Sequence, residues 1–172
     1  MTCIGELFFK IVTMKKIITL IGAAFFCLSS YSQWGGGFDF GGGGGASSGS
    51  LSGYTNKQNI DYVGDNHVGH KLDIYYPNDG KETHNVIIHI YGSAWSSNNG
   101  KGGADLGTVG KAAVEAGYIF VTPNHRSNSD AQWPGQINDI KAVARYLRGN
   151  AEELKVDTSF IAISGFSSGG HL

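Results

Sequence analysis

Three short apolar runs in the second half of the chain constrain its fold more than any other feature. They read VIIHIY at Val86–Tyr91, YIFVT at Tyr118–Thr122 and FIAIS at Phe160–Ser164. Apolar runs without alternation are typical of strands that are covered on both faces, as in parallel sheets. Helical patterns separate each run from the next, so the sequence predicts parallel βαβ units and a fold of the α/β class.

The segments between and before these runs predict the remaining elements. Leu106–Ala116 is interpreted as a helix that ends before Gly117, and Pro134–Arg148 as a longer helix with proline in its first turn. One face of the longer helix is apolar, with Ile137, Ile140, Val143, Ala144 and Leu147. Upstream, Asn59–Val63 and Lys71–Tyr76 predict a pair of strands, the second with alternating apolar residues.

A G-x-S-x-G pattern follows the last predicted strand, at Gly165-Phe166-Ser167-Ser168-Gly169. A tight strand-to-helix turn can present a serine Oγ to a carbonyl carbon, and flanking glycines let the strand and the helix approach each other. Ser167 is therefore the candidate nucleophile, with Gly165 and Gly169 as the elbow glycines. The alternative is a Gly/Ser-rich loop without chemistry.

A second candidate element follows the strand Val86–Tyr91, at Gly92-Ser93-Ala94. An oxyanion hole needs backbone N–H groups directed at the developing negative charge, and small residues let the chain come close. These three residues meet that need, and the N–H of Ser168 would supply a second donor. The alternative is an ordinary turn after a strand.

Three motifs together resemble a known family: YGSAW, the helix QWPGQINDIKAVARYL, and GFSSGGHL. From Asn59 to Leu172 the chain resembles the N-terminal half of α/β-hydrolase esterases of the hormone-sensitive-lipase-like and feruloyl-esterase-like group. The resemblance implies an α/β-hydrolase fold, a mostly parallel sheet flanked by helices. It also implies Ser167 as the nucleophile and Asp139 as a structural residue.

The resemblance assigns the oxyanion contributors to Gly92, Ser93 and Ser168. Two residues of the loop depart from the family pattern: Tyr91 stands in place of a histidine and Ser93 in place of a glycine. Because the hole uses backbone N–H groups, these changes affect the shape of the loop more than its chemistry.

The remaining triad residues are missing after Ser167. In this fold the order is Ser, then Asp or Glu, then His, yet no carboxylate follows Ser167 and the only downstream histidine, His171, lies in the next turn. For His171 we expect a packing or capping role. The chain is therefore expected to be an inactive fragment, truncated at the nucleophile elbow, of a serine carboxylesterase.

The resemblance implies a substrate with short acyl or aryl esters, polysaccharide-linked esters among them. Three other functions stay open: a non-catalytic pseudo-hydrolase binding fragment, a Gly-rich surface protein, and a serine peptidase of the prolyl-oligopeptidase type. The intact serine and its glycines favour an enzyme, whereas the missing base and acid favour a binding fragment.

The first 53 residues carry targeting and linker signals. Residues 1–32 predict a signal peptide whose true start is Met14, with a basic pair at Lys15 and Lys16 and an apolar run of 12 residues, Ile17–Leu28. Such a run is shorter than the about 20 residues that span a bilayer, so no stable membrane span is expected after cleavage. The mature protein is expected to be secreted or periplasmic; lipoprotein anchoring at Cys27 is less favoured. Residues 33–53 predict a Gly/Ser-rich linker, and 54–172 the domain.

Composition excludes several functions. With 13 Lys+Arg against 14 Asp+Glu, the chain has no basic footprint for nucleic acid. Both cysteines, Cys3 and Cys27, lie in the predicted signal peptide, so the mature chain has no cysteine chemistry. No H-E-x-x-H spacing occurs, and neither a metal nor another cofactor is expected.

Overall fold

The computed structural model describes residues 51–172, where five strands form one sheet. The predictions for the signal peptide and most of the linker lie outside these residues. The strands are β1 (Asn56–Asp61), β2 (Lys71–Tyr75), β3 (His84–Ile90), β4 (Ile119–Pro123) and β5 (Val156–Gly165). The α-helices are α1 (Lys111–Glu115), α2 (Gly135–Gly149) and α3 (Ser168–His171). Short 3₁₀ turns lie at Val68–His70 and Lys101–Gly103, and a π turn at Leu106–Gly110.

The strands are ordered β1-β2-β4-β3-β5 across the sheet. β3 pairs in parallel with β4 on one side and with β5 on the other, so Ile87 faces Phe120 and Ala162. The predicted parallel βαβ units are confirmed. β1 and β2 add antiparallel pairs, which make the described sheet mixed. From β3 the chain goes to β4 on one side and then crosses to β5 on the other side of β3. In α/β sheets, ligands bind at the carboxyl ends of the strands at such a reversal of strand order.

Helices cover both faces of the sheet. On one face α2 presents Ile140, Val143 and Leu147 to a buried cluster that includes Ile88 and Val121 of the central strands. On the other face α1 packs against Phe120. Full burial of each large aliphatic side chain contributes about 1.5–3 kcal/mol, so these faces fix the strands whose ends carry the candidate site.

Leu51 corrects the predicted boundary between linker and domain. The sequence predicts a flexible linker through residue 53, but Leu51 is only 4% exposed and packs with Tyr75 and Phe120. Its carbonyl also accepts a hydrogen bond of 3.2 Å from the N–H of Tyr54. The folded part therefore reaches back to Leu51, because the second core cluster needs an apolar side chain beneath the sheet.

Three elements differ in extent from their predictions. The helix predicted at Leu106–Ala116 begins as the π turn and becomes α-helical only at Lys111. β1 begins earlier than predicted and contains a bulge at Asn59, whose φ is 56° and whose N–H donates to Asp73. β5 is longer than its apolar run and lies at the edge of the described sheet, where Ile163 is 52% exposed.

Candidate active site

Ser167 occupies a sharp turn between β5 and α3. Its backbone has φ 52° and ψ −121°, a conformation that L-residues rarely adopt and that costs about 1–3 kcal/mol. The turn is held by two hydrogen bonds: the N–H of Phe166 donates to the carbonyl of Ile90 at 3.0 Å, and the N–H of Gly169 to that of Phe166 at 2.8 Å. The serine side chain is exposed at the carboxyl end of the sheet.

The two elbow glycines lie where the backbone segments touch. A Cβ on Gly165 would lie 2.5 Å from the carbonyl oxygen of Gly169, and one on Gly169 would lie 2.5 Å from the carbonyl oxygen of Tyr91 and still closer to that of Ile90. Both neighbours are main-chain atoms that cannot rotate away. The glycines therefore let α3 pack directly on the ends of β5 and β3.

The loop after β3 lies against this turn. A Cβ on Gly92 would be 2.8 Å from Cβ of Ser167, so only glycine allows the approach. The N–H of Ser93 donates to Oγ of Ser168 at 2.9 Å, and Ser168 is buried. The structure thus brings Gly92, Ser93, Ser167 and Ser168 together, and one of the predicted oxyanion donors already has a side-chain acceptor.

The next two residues of the loop have left-handed backbones. Ala94 has φ 50° and Trp95 φ 59°, an uncommon pair of values for residues other than glycine. The carbonyl of Trp95 accepts a hydrogen bond of 2.8 Å from the N–H of Asn128, which ties this loop to the one between β4 and α2. This conformation could not be predicted from local sequence, because the hydrogen bond that holds it comes from a residue far along the chain.

Tyr91, which stands where the family has histidine, supports the same loop from below. Its hydroxyl donates to the carbonyl of Ser97 at 2.8 Å, and its ring stacks on His125 with 4.9 Å between centroids. Burial raises the pKa of Tyr91 to about 12, so the hydroxyl stays a donor at neutral pH. A Cβ on Gly100 would lie 2.7 Å from Cζ of this ring, which makes Gly100 a supporting residue that the sequence did not indicate.

Asp139 on α2 is almost fully buried and binds Arg126 through two side-chain nitrogens. Nη2 of Arg126 donates to Oδ1 at 2.7 Å and Nε to Oδ2 at 3.0 Å, while the backbone N–H of Arg126 also donates to Oδ2 at 2.9 Å. This hydrogen bonding raises the pKa of Arg126. The contacts hold α2 to the end of β4, away from Ser167.

The ring of His171 contacts two tryptophans and not the hydroxyl of Ser167. It lies 5.3 Å from the ring of Trp95 and 5.4 Å from that of Trp133, between centroids. The backbone N–H of His171 donates a hydrogen bond to the carbonyl of Ser167 at 3.2 Å, one helical turn earlier. Among residues 51–172 the hydroxyl of Ser167 makes no hydrogen bond, so none of the histidines there acts on it in this geometry.

The buried side chain of His89 lies between two polar side chains, an arrangement that the sequence did not indicate. Nδ1 of His89 is 2.9 Å from Oγ of Ser164, and Nε2 is 3.3 Å from Oδ2 of Asp105. Burial lowers the pKa of His89, and the Asp105 carboxylate partly opposes that effect. The contact between His89 and Ser164 depends on the parallel register of β3 and β5, which pairs these two residues.

The described residues show neither a metal cluster nor a membrane span. In the range 51–172, no three His, Cys, Asp or Glu side chains are grouped to hold an ion. No helix in that same range is long and apolar enough to cross a bilayer.

The chain matches the model of one known protein family. The family model described as BD-FAE matches residues 72–172, which include the loop after β3, Asp139 and the Ser167 turn. The chain belongs to the BD-FAE family. BD-FAE proteins are α/β-hydrolase esterases, so the resemblance and the fold class inferred from the sequence are confirmed.

The BD-FAE chain is similar to both curated proteins and solved structures. It is 36% identical to the probable carboxylic ester hydrolase LipM of Mycobacterium tuberculosis over 87 residues. These residues cover 51% of this chain and 20% of LipM. A bifunctional GH43-CE protein of Bacteroides eggerthii is 49% identical with a TM-score of 0.66, over 67% of this chain and 15% of that one. A truncated carbohydrate esterase from gut microbiota is 45% identical with a TM-score of 0.68, over 72% and 43%. The chain thus spans less than half the length of each.

Proposed function

We propose that this chain supplies the nucleophile and the oxyanion hole of a serine carboxylic-ester hydrolase. One observation carries the proposal: exposed Ser167 sits on a strained turn directly against the Gly92-Ser93 loop. A strained serine turn of this kind places Oγ above the sheet, next to backbone donors. The naming of LipM as a carboxylic ester hydrolase supports the same activity.

The reaction follows from this arrangement. Oγ of Ser167 attacks the ester carbonyl carbon and loses its proton to a base, while the carbonyl oxygen becomes an oxyanion. The N–H groups of Gly92 and Ser168 stabilise that charge, joined by the N–H of Ser93 when it exchanges Oγ of Ser168 for the oxyanion. Removing one such donor typically costs about 10²–10³ in kcat. The C–O bond then breaks, the alcohol leaves with the proton, and water releases the acid from the acyl-enzyme.

The base and the residue that orients it are not among the described side chains that contact Ser167. Since the described part holds no histidine at that hydroxyl, the proposal assigns the activity to the complete protein and expects residues 51–172 alone to be inactive. A complete protein without a base would instead be a non-catalytic pseudo-hydrolase. This is why the proposal has to be tested on the complete protein.

The proposed substrates are short acyl or aryl esters carried by a carbohydrate. Two similar structures are named as carbohydrate esterases or as containing one, at 45% and 49% identity. We further propose export through the signal peptide at residues 1–32, which would bring the enzyme to extracellular polysaccharide. Sequencing the N-terminus of the mature protein from culture medium or periplasm tests the export, and an uncleaved Met14 in the cytoplasm would contradict it.

A fluorophosphonate probe tests the nucleophile, because it phosphonylates only an activated serine. The complete protein should be labelled, and Ser167→Ala should not. Ser159→Ala, at the other end of β5, is the matched control and should label as the unaltered protein does. Labelling that persists in Ser167→Ala, or a complete protein that is never labelled while correctly folded, would exclude Ser167 as an activated nucleophile.

A further inference from the structure

Three aromatic rings from separate segments form an exposed group beside Ser167. Trp95 belongs to the loop after β3, Trp133 to the loop before α2, and His171 to the turn that follows Ser167. The His171 ring lies between the two indoles, at 5.3 Å and 5.4 Å between centroids. We call these three residues the aromatic rim.

The rim is exposed where apolar rings are normally buried. Trp133 is 60% exposed and Trp95 is 37% exposed. Exposed clusters of large apolar side chains on a folded protein mark interaction or ligand sites. The main chain that carries two of the rings is held in place, since the carbonyl of Trp95 accepts a hydrogen bond from the N–H of Asn128 and the backbone N–H of His171 donates to the carbonyl of Ser167.

The chemistry of the rim suits a sugar ring better than an aryl group. A pyranose has apolar C–H faces that stack on indole and hydroxyl groups around its edge that stay in water, so it fits a half-exposed surface. An aryl group has two apolar faces and needs an enclosed pocket to bury both. The ring nitrogens of His171 make no hydrogen bond within residues 51–172, which leaves them available to a hydroxyl.

We infer that the aromatic rim binds a pyranose ring in the alcohol part of the substrate, with Trp133 as a residue that determines specificity. The inference rests on the proposed function, because the rim lies one turn from the serine that would attack the ester. It adds which half of the substrate these residues contact: the sugar that leaves, not the acyl group that stays on Ser167.

Kinetics of the complete protein on two acetyl esters test the inference. 6-O-acetyl-D-glucose carries a pyranose ring with free hydroxyl groups, and 4-nitrophenyl acetate carries no sugar. Trp133→Ala should lower the ratio of kcat/KM on the sugar ester to kcat/KM on the aryl ester by about threefold to tenfold, the effect of one ring-stacking contact. The loss should lie mainly in KM, and Trp133→Phe should restore most of it. Val63→Ala, which removes an exposed apolar side chain outside the rim, is the control.

Two results would overturn the inference. One is an unchanged ratio in Trp133→Ala. The other is a kcat/KM that falls only on a third ester, methyl ferulate, which would place the acyl group on the rim. Titration of Ser167→Ala with 6-O-acetyl-D-glucose, followed by tryptophan fluorescence, separates the two proposals. If Ser167→Ala binds the sugar ester only when Trp133 is present, but the unaltered protein does not hydrolyse it, only the hydrolase function is rejected. Absence of that binding rejects the rim.

Discussion

Substitution of Gly169 by alanine tests whether the Ser167 turn depends on direct contact between backbones. The new Cβ would lie 2.5 Å from the carbonyl oxygen of Tyr91, and ordinary contact begins at 3.4 Å, so the start of α3 must move by about 0.9 Å or more. Overpacking of this kind costs about 1–3 kcal/mol. Movement also weakens the 3.0 Å hydrogen bond from Phe166 to Ile90, worth about 1 kcal/mol. We therefore expect a loss of about 2–4 kcal/mol in the free energy of unfolding.

Urea unfolding of the complete protein, followed by tryptophan fluorescence, measures this loss. With a slope of about 2 kcal/mol per molar urea, the middle of the usual range, the midpoint of Gly169→Ala should fall by about 1–2 M. The rate of fluorophosphonate labelling at Ser167 should fall with it, since the turn that presents the serine is displaced. Gly149→Ala is the matched control, because a Cβ there has no atom within 4 Å and alanine favours the helix. Equal midpoints and equal labelling rates for the two variants would refute the backbone-contact argument.

Three further predictions concern the surroundings of the site. Asp139→Asn should lower the free energy of unfolding by about 2–3 kcal/mol, because the substitution leaves Arg126 without its charged partner; a urea midpoint unchanged from the parent protein would contradict this. Ser168→Ala removes the acceptor of the Ser93 N–H, worth about 1 kcal/mol, and should make that amide exchange with D₂O about fivefold faster; equal exchange would show the bond is absent. Hydrogen bonds from Ser127 lower the pKa of Asp130 to about 2. The stabilisation by Asp130 should be nearly complete above about pH 4 and lost as the pH falls through 2. The difference in the free energy of unfolding between the parent protein and Asp130→Asn should therefore be smallest below pH 2; a difference that does not change with pH would contradict this.

The elements and the serine turn were predictable from the sequence because their signals are local. The apolar run that became β3 and the G-x-S-x-G pattern after β5 each lie within a few residues, so period and spacing are sufficient. Asp139 was reached only through the resemblance, since nothing in its own helix indicates that Arg126 lies beside it. The nucleophile role of Ser167 stays a prediction until it is labelled.

The supporting contacts were not predictable because they join distant parts of the chain. The ring of Tyr91 requires a glycine at position 100, and the loop that carries Ser93 ends against a serine 75 residues later. His89 meets Ser164 only through the register of two parallel strands. Leu51 was assigned to the linker because its neighbours are glycine and serine, and its burial depends on contacts with Tyr75 and Phe120 that local composition does not indicate.

The strain at the site and the rigidity of its surroundings belong together. Ser167, Ala94 and Trp95 all have positive φ values, and conformations of that kind persist only where neighbouring contacts over-determine them. Here those contacts are mostly main-chain: Phe166 to Ile90, Asn128 to Trp95, and glycines that admit no side chain. A site held by backbone contacts keeps its geometry when surface side chains change. Substrate preference can therefore vary through exposed residues such as Trp133 without disturbing the turn that presents the serine.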